Sequence, residues 1–338
     1  MFRKLYAALL LSSCVLLAGC ERPAPPPVTR VAMVVKAKGD AYFDACARGG
    51  RKAAKELSAQ FFYETPVDGS VEEQIEAVDG LVTRRMDAIV IAPHEALALA
   101  PALKRARQNG VHVITFDTDA DEKRSGREWF VRPASDEAVG RGLVESMVSS
   151  AGEKARTMIV ASTSAATRQQ QWIRDMREYI GKKRPTIQIV DIKRCEDANA
   201  AFTATQEALQ NNPDITGIFA LSPELLVSAA KVVKAGSRKR FVTGVGLPNS
   251  ARAFVKAGIV PAFVMWNPED LGHLAVQVAV QTVKGRLRED SAELVITETE
   301  VVNGVARTKT VSKAVKNREV LLGEPMIVTA ADVDQFDF

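Results

Sequence analysis

From Arg30 onward, short apolar runs alternate with amphipathic stretches, and this rhythm limits the fold more than any other feature of the chain. Periodicity predicts buried strands over Val31 to Val35, Ala88 to Ala92 and Val111 to Phe116. Between them it predicts helices over Tyr42 to Leu57 and Ala96 to Gln108, the second stopped by Asn109-Gly110. Ser70 and Glu73 read as a capping box ahead of Val71, Ile75, Val78 and Val82 at helical spacing. The same rhythm resumes in a helix opening at Asp136. Further strand-like runs follow at Met158 to Ala161, Ile187 to Ile192, Ile218 to Leu221, Phe241 to Val245 and Ala262 to Met265.

Such alternation implies right-handed βαβ units, with helices on both faces of parallel sheets. The strands are too many for one compact sheet. The expected fold is therefore α/β, with two doubly wound parallel-sheet lobes joined by a hinge. Arg132-Pro133 interrupts the pattern near one crossover and Trp266-Asn267-Pro268 near a second. The reading divides the chain into a signal segment (1–20), a spacer (21–29) and a first lobe (30–133 with 268–290). A second lobe (134–267) and a tail near the hinge (291–338) complete it. Leu294 to Val302 alternates like a strand, and the tail is assigned no chemistry.

The first twenty residues bear on compartment. Arg3 and Lys4 precede an apolar run from Ala7 to Leu17, too short to span a bilayer comfortably but suited to a signal peptide. It ends in Leu17-Ala18-Gly19-Cys20, which resembles the lipobox of bacterial lipoproteins and implies lipidation of Cys20. Each buried methylene of such an anchor contributes about 0.8 kcal/mol, so stable attachment takes more than one chain. The Pro-rich stretch Glu21 to Pro27 then reads as a stiff spacer holding a folded body off a membrane. Of the remaining cysteines, Cys46 and Cys195 could pair in an oxidising compartment, and isolated buried thiols are the favoured expectation.

The formal net charge of +4 includes Arg3 and Lys4, and no basic stripe points to nucleic acid. The chain carries no Gly-x-Ser-x-Gly elbow, no His-Glu-x-x-His and no phosphate loop, so no enzyme class is favoured. No cofactor and no metal are expected. Asp117, Asp119, Asp121 and Glu122 lack the spacing and glycine of a calcium loop and read as a solvated acidic turn.

In open parallel sheets, ligands bind beyond the carboxyl ends of the strands. The residues there are Lys36, His94 and Asp117 in the first lobe. In the second they are Ser162 and Thr163 leading toward Arg168 and Gln169, then Cys195, Ser222, Gly246 and Trp266-Asn267. Asp117 can accept two hydroxyl groups while Lys36 and Arg168 donate. Trp266, Tyr42 and Phe43 can cover the apolar faces of a sugar ring. The residues alone leave Lys36 open between rim and ligand, and Trp266 open between core and ligand. His94 beside Pro93 reads as a turn residue.

These positions resemble the bacterial periplasmic-binding-protein superfamily that includes ribose-binding proteins, and most closely its rhamnose-binding and autoinducer-2-binding branch. The resemblance rests on Val35-Lys36, Gly39-Asp40-Ala41-Tyr42-Phe43 and Ile114-Thr115-Phe116-Asp117-Thr118-Asp119. It continues in Gln169-Gln170-Gln171-Trp172, Leu247-Pro248-Asn249, Met265-Trp266-Asn267 and Val333 to Phe338. It implies ligand contacts from Lys36, Asp117 and Gln169. The branch usually has aspartate at Arg168, Pro-Asp-Ala at Leu221-Ser222-Pro223 and Trp-Asp at Trp266-Asn267. Arginine in place of an acceptor reverses the hydrogen-bonding demand and turns the expectation toward a monosaccharide, a pentose or a deoxyhexose such as rhamnose. The implied partners are that sugar, the permease subunits of an ABC importer and a membrane reached through the lipid, with the protein a monomer. An autoinducer-2-type signal binder, or a module presenting ligand to a sensor kinase, would share the fold.

Overall fold

The structure is a computed structural model that describes residues 28–338 apart from 68, 164–165 and 303–304. The stretch read as a signal segment, with Cys20, and most of the stretch read as a spacer lie outside the described residues.

The chain begins with β1 (Arg30–Val34), α1 (Ala41–Glu56), β2 (Gln60–Glu64), α2 (Val71–Thr83), β3 (Ala88–Ile91), α3 (Ala100–Gln108), β4 (His112–Phe116), α4 (Glu122–Ser125) and β5 (Trp129–Arg132). It then enters a second body through α5 (Asp136–Ala151), β6 (Arg156–Ser162), α6 (Ala166–Lys183), β7 (Gln188–Cys195), α7 (Ala198–Asn211), β8 (Gly217–Ala220), α8 (Pro223–Ala235), β9 (Phe241–Gly244), α9 (Pro248–Lys256) and β10 (Ala262–Met265). It returns with α10 (Pro268–Val283), β11 (Glu293–Val302), β12 (Val305–Lys316) and β13 (Glu319–Leu321), and ends after β14 (Met326–Thr329).

The first sheet has the order β2-β1-β3-β4-β5-β13-β12-β11 and is parallel through β13. The second runs β7-β6-β8-β9, and a parallel bridge between Val245 and Val264 leads on to β10, which pairs antiparallel with β14. Apolar side chains pack on both faces of each sheet. Val31, Met33 and Val90 face α1 and α10, whereas Ala32, Val34 and Ile89 face α2 and α3. This double burial is why these strands read as continuous apolar runs.

Two glycines set the closest helix packing of the first lobe. A Cβ on Gly49 would lie 1.8 Å from the Glu269 carbonyl oxygen, and one on Gly272 1.9 Å from that of Cys46. Helices α1 and α10 therefore touch backbone to backbone. This brings the N-terminus of α10, just after Trp266-Asn267, beside the helix that carries Tyr42.

Two strands had no clear sequence signal. In β2, Phe61, Phe62 and Tyr63 are only partly buried at a sheet edge, and β5 coincides with the stretch read as a crossover. The tail also differs from its expected place. Strands β11 to β13 complete the first sheet, β14 joins the second lobe, and Phe338 packs in the second lobe's core. Only residues 322–325 cross between the lobes, adding a third connection to the two after Arg132 and Met265. Cys46 and Cys195 are free thiols, buried in separate cores.

Candidate functional site

The carboxyl ends of β1 and β4 present Lys36 and Asp117. Asp117 takes φ = 60°, a left-handed conformation that aspartate tolerates better than most residues. The next amide, of Thr118, donates to the Phe116 carbonyl at 2.6 Å, a three-residue turn that sharply redirects the chain at the sheet edge. The turn sets the Asp117 carboxylate against Lys36 and Tyr42 and its carbonyl against Arg168. Lys36 Nζ lies 3.8 Å from the carboxylate and donates to Thr118 Oγ1 at 2.7 Å; Thr118 in turn donates to Asp117 Oδ2 at 3.1 Å.

Asp40 caps α1 by accepting from the Tyr42 and Phe43 amides, and this places Tyr42 in the first turn. Its hydroxyl donates to Asp117 Oδ1 at 2.7 Å and accepts from Trp266 Nε1 at 2.6 Å. Burial pushes the Tyr42 phenol well above its usual range, and the Asp117 charge pushes it further. The group stays protonated and remains a donor to the carboxylate. Phe43 is buried next to it, edge-on to both Tyr42 and Phe116.

The second lobe contributes Arg168 from the first turn of α6. Its Nη1 donates to the Asp117 carbonyl at 2.9 Å, and its guanidinium lies 5.5 Å from the Trp172 ring and 5.9 Å from the Trp266 ring. Stacking of this kind suits a planar, weakly hydrated cation. Its Nε is 3.5 Å from Asp136 Oδ1, beyond a good hydrogen bond. Lys36, Asp117, Tyr42, Trp266 and Arg168 thus form one continuous group drawn from both lobes.

Other expected site residues are occupied differently. Gln169 is 3% exposed; its Oε1 accepts from the Ser162 amide at 2.7 Å and its Nε2 donates to the Leu221 carbonyl at 3.0 Å. It joins the ends of two strands. Ser222 caps α8 and donates to Glu224 at 2.9 Å, and Asn267 caps α10. The acidic turn is internally satisfied: Asp119 accepts from Thr115, Ala120 and Arg127, and Asp121 caps α4. Among the described residues, no group of histidine, cysteine and carboxylate side chains could hold a metal ion.

Three residues were missed by sequence reasoning. Gln74, fully buried in α2, repeats the role of Gln169 in the other lobe. It donates to the Val35 and Ala92 carbonyls, each at 3.0 Å, and accepts from the His94 amide at 2.8 Å. Its signal was a polar residue on the apolar face of a predicted helix. Asp136 pairs closely with Arg132 across the first connection and accepts from Trp172 Nε1 at 2.8 Å. Thr118 bridges Lys36 and Asp117; the motif Ile114 to Asp119 contained it, but no role was assigned to it.

Residues 31–287 match the family described as periplasmic binding protein domain, and the chain belongs to that family. A D-ribose/D-allose-binding protein of Pseudomonas aeruginosa is 27% identical over 312 residues, covering 87% of this chain and 95% of that protein. The ribose import binding protein of Bacillus subtilis is 23% identical over 258 residues, 76% of this chain and 82% of its own. Among solved structures, a sugar ABC transporter protein of Actinomyces odontolyticus superposes with a TM-score of 0.77 at 25% identity, covering 92% of this chain and 98% of that one. An ABC transporter solute-binding protein of Clostridium phytofermentas, solved with bound L-rhamnose, shares the fold with a TM-score of 0.74 at 23% identity, covering 91% and 98%.

Proposed function

We propose that this protein is the exported receptor of an ABC importer, and that it captures a monosaccharide between its lobes by hinge closure. It is read as a binding protein and not an enzyme, in keeping with relatives that are named as binding proteins. The observation that carries the reading is the convergence of Asp117 and Tyr42 with Arg168 and Trp266 across the two lobes. Asp117 offers acceptor oxygens to neighbouring hydroxyl groups, Lys36 and Arg168 offer charge-assisted donors, and the Trp266 and Tyr42 rings offer apolar faces to the ring carbons. Phe43, Gln169, Ser222 and Asn267 act on the site by holding the strand and helix ends that shape it.

Closure about the three connections is favoured because the ligand bridges groups that the open form separates. The preferred ligands are pentoses and deoxyhexoses such as rhamnose. Donors on both sides of Asp117 suit neutral hydroxyl groups. Export, lipidation at Cys20 and a short proline spacer hold the body beside the membrane that carries the permease.

A thermal-shift panel of pentoses, hexoses, deoxyhexoses and autoinducer-2 tests this reading. A ligand at a hundred times its dissociation constant stabilises by about 2.7 kcal/mol, an easily read shift. A pentose or deoxyhexose is expected to give the largest shift. A shift with autoinducer-2 alone would replace the sugar reading, and no shift with any of the panel would count against it.

A further inference from the structure

The segment Lys231–Arg240 holds five cations in ten residues: Lys231, Lys234, Arg238, Lys239 and Arg240. It joins the end of α8 to the start of β9. All five side chains are exposed except that of Arg240, which is half-buried. Among the described residues, none of the five lies in an ion pair with a carboxylate. Arg238 and Arg240 instead donate to the Pro213 and Ile215 carbonyls, and Lys234 and Lys239 sit over the Phe254 and Phe241 rings. The guanidinium of Arg240 is pulled below the usual arginine range, by burial first and by Arg238 second. Like charges held together without a counter-charge call for an anionic partner.

A groove of about 360 Å³ opens beside these cations. Phe202, Leu209 and Val232 contribute its apolar surface, and Arg238 and Arg240 its charged edge. Phe202 is 36% exposed, a large apolar ring facing solvent next to a basic rim. Cations beside a shallow apolar surface match the chemistry of a phospholipid interface, which is anionic outside and apolar just beneath.

We infer that the Lys231–Arg240 surface, with the Phe202 groove, is a docking site for an anionic phospholipid membrane. This goes beyond the sugar reading and leans on the proposed anchor for the choice of a membrane over a soluble acidic protein. A spacer of nine residues, Glu21–Thr29, reaches roughly 30 Å at full extension, so an anchored body cannot move far from its bilayer. The spacer enters at the start of β1, and the basic segment precedes the start of β9. Both lie at the strand ends opposite the cleft, one on each lobe. Contact at both poles lays the protein lengthwise on the membrane, and a lipid chain plus a polybasic patch supplies two attachment signals.

The test uses the mature chain from residue 21, without lipid. It contains every described residue of both sheets. Its co-sedimentation is measured with vesicles of phosphatidylglycerol and phosphatidylcholine, and with phosphatidylcholine alone. Binding is expected only to the anionic vesicles, and it should weaken with added salt. Among the described residues, the triple substitution Lys231→Gln, Lys234→Gln, Lys239→Gln removes no side-chain hydrogen bond, and its melting temperature serves as the folding control. At about fivefold per cation near a charged surface, it should reduce anionic-vesicle binding on the order of a hundredfold, with sugar affinity unchanged. No binding to anionic vesicles, equal binding to both kinds, or an unchanged triple variant overturns the proposal. So does retention on immobilised polyglutamate without vesicle binding, which would assign the patch to an acidic protein. Sugar titrations run in parallel keep failure of the cleft reading distinct.

Discussion

Arg168 of the second lobe donates to the main-chain oxygen of Asp117 in the first at 2.9 Å, while two tryptophan rings flank its guanidinium. One side chain thus links the lobes and borders the carboxylate assigned to sugar hydroxyls. Arg168→Ala is expected to lower sugar affinity about 10- to 100-fold, the loss of one charge-assisted hydrogen bond. Arg168→Lys should restore only part of it, because an ammonium keeps the charge and loses the planar stack. Calorimetric titration of both variants checks this. Full rescue by lysine would mean that charge alone matters.

Asp136 connects the hinge to that arginine through Arg132, Trp172 and a 3.5 Å approach to Arg168. Asp136→Asn keeps an acceptor for Trp172 and removes the charge. At roughly 1 kcal/mol for a partly exposed pair, affinity should fall about fivefold. The fraction closed at sub-saturating ligand, read from a fluorophore pair placed on the two lobes, should fall with it. A purely structural role would lower the melting temperature and leave the closure curve in place.

Much of the fold was legible because both sheets are buried on both faces, so strands such as Ala88–Ile91 appear as unbroken apolar runs. Strand β2 was not, because Gln60–Glu64 lies at an edge and mixes aromatic with polar residues. The tail's split between the lobes depends on long-range pairing, Glu319 with Phe130 and Met326 with Met265, for which no local pattern exists. Lys36, Asp117, Arg168 and Trp266 could be found because they follow or precede clear elements at the strand ends. The role of Gln169 could not, since the same position serves a ligand or a neighbouring carbonyl equally well until the Ser162 and Leu221 backbones are placed.

The two buried glutamines give a stability prediction. Gln74→Ala leaves the Val35 and Ala92 carbonyls and the His94 amide without their partner. Gln169→Ala removes the side chain that joins the Ser162 amide to the Leu221 carbonyl. Each should cost roughly 2–4 kcal/mol in urea unfolding. A loss below about 0.5 kcal/mol, within the range of ordinary surface substitutions, would contradict the clamping role.

Helix packing gives another. Gly272→Ala forces a methyl group against the Cys46 carbonyl and should destabilise the first lobe by at least about 2 kcal/mol. The Gly80→Ala change, where a Cβ meets nothing within 4 Å, serves as the control and should be neutral or mildly stabilising. Equal effects at the two positions would remove the argument that α1 and α10 touch through their backbones.

Alkaline pH tests the Tyr42–Asp117 bond. The folded state holds the Tyr42 proton more tightly than the unfolded state, whose phenol titrates near about 10. The contribution is therefore fully present below that value and is lost as pH rises toward the folded pKa. Unfolding free energy should decline above about pH 10, and less steeply in Tyr42→Phe, as followed by denaturant titration at each pH. Identical slopes would show that Tyr42 does not differ between the two states.

The most direct measurement is calorimetric titration of the sugar selected by the thermal-shift panel into wild-type, Asp117→Ala and Asp117→Asn proteins. Loss of two charge-assisted hydrogen bonds predicts affinity weaker by on the order of a hundredfold or more in the alanine variant, with a lowered melting temperature but a cooperative unfolding transition in the sugar-free protein. An affinity equal to wild type in a folded Asp117→Ala protein would place the ligand elsewhere and contradict the interlobe site.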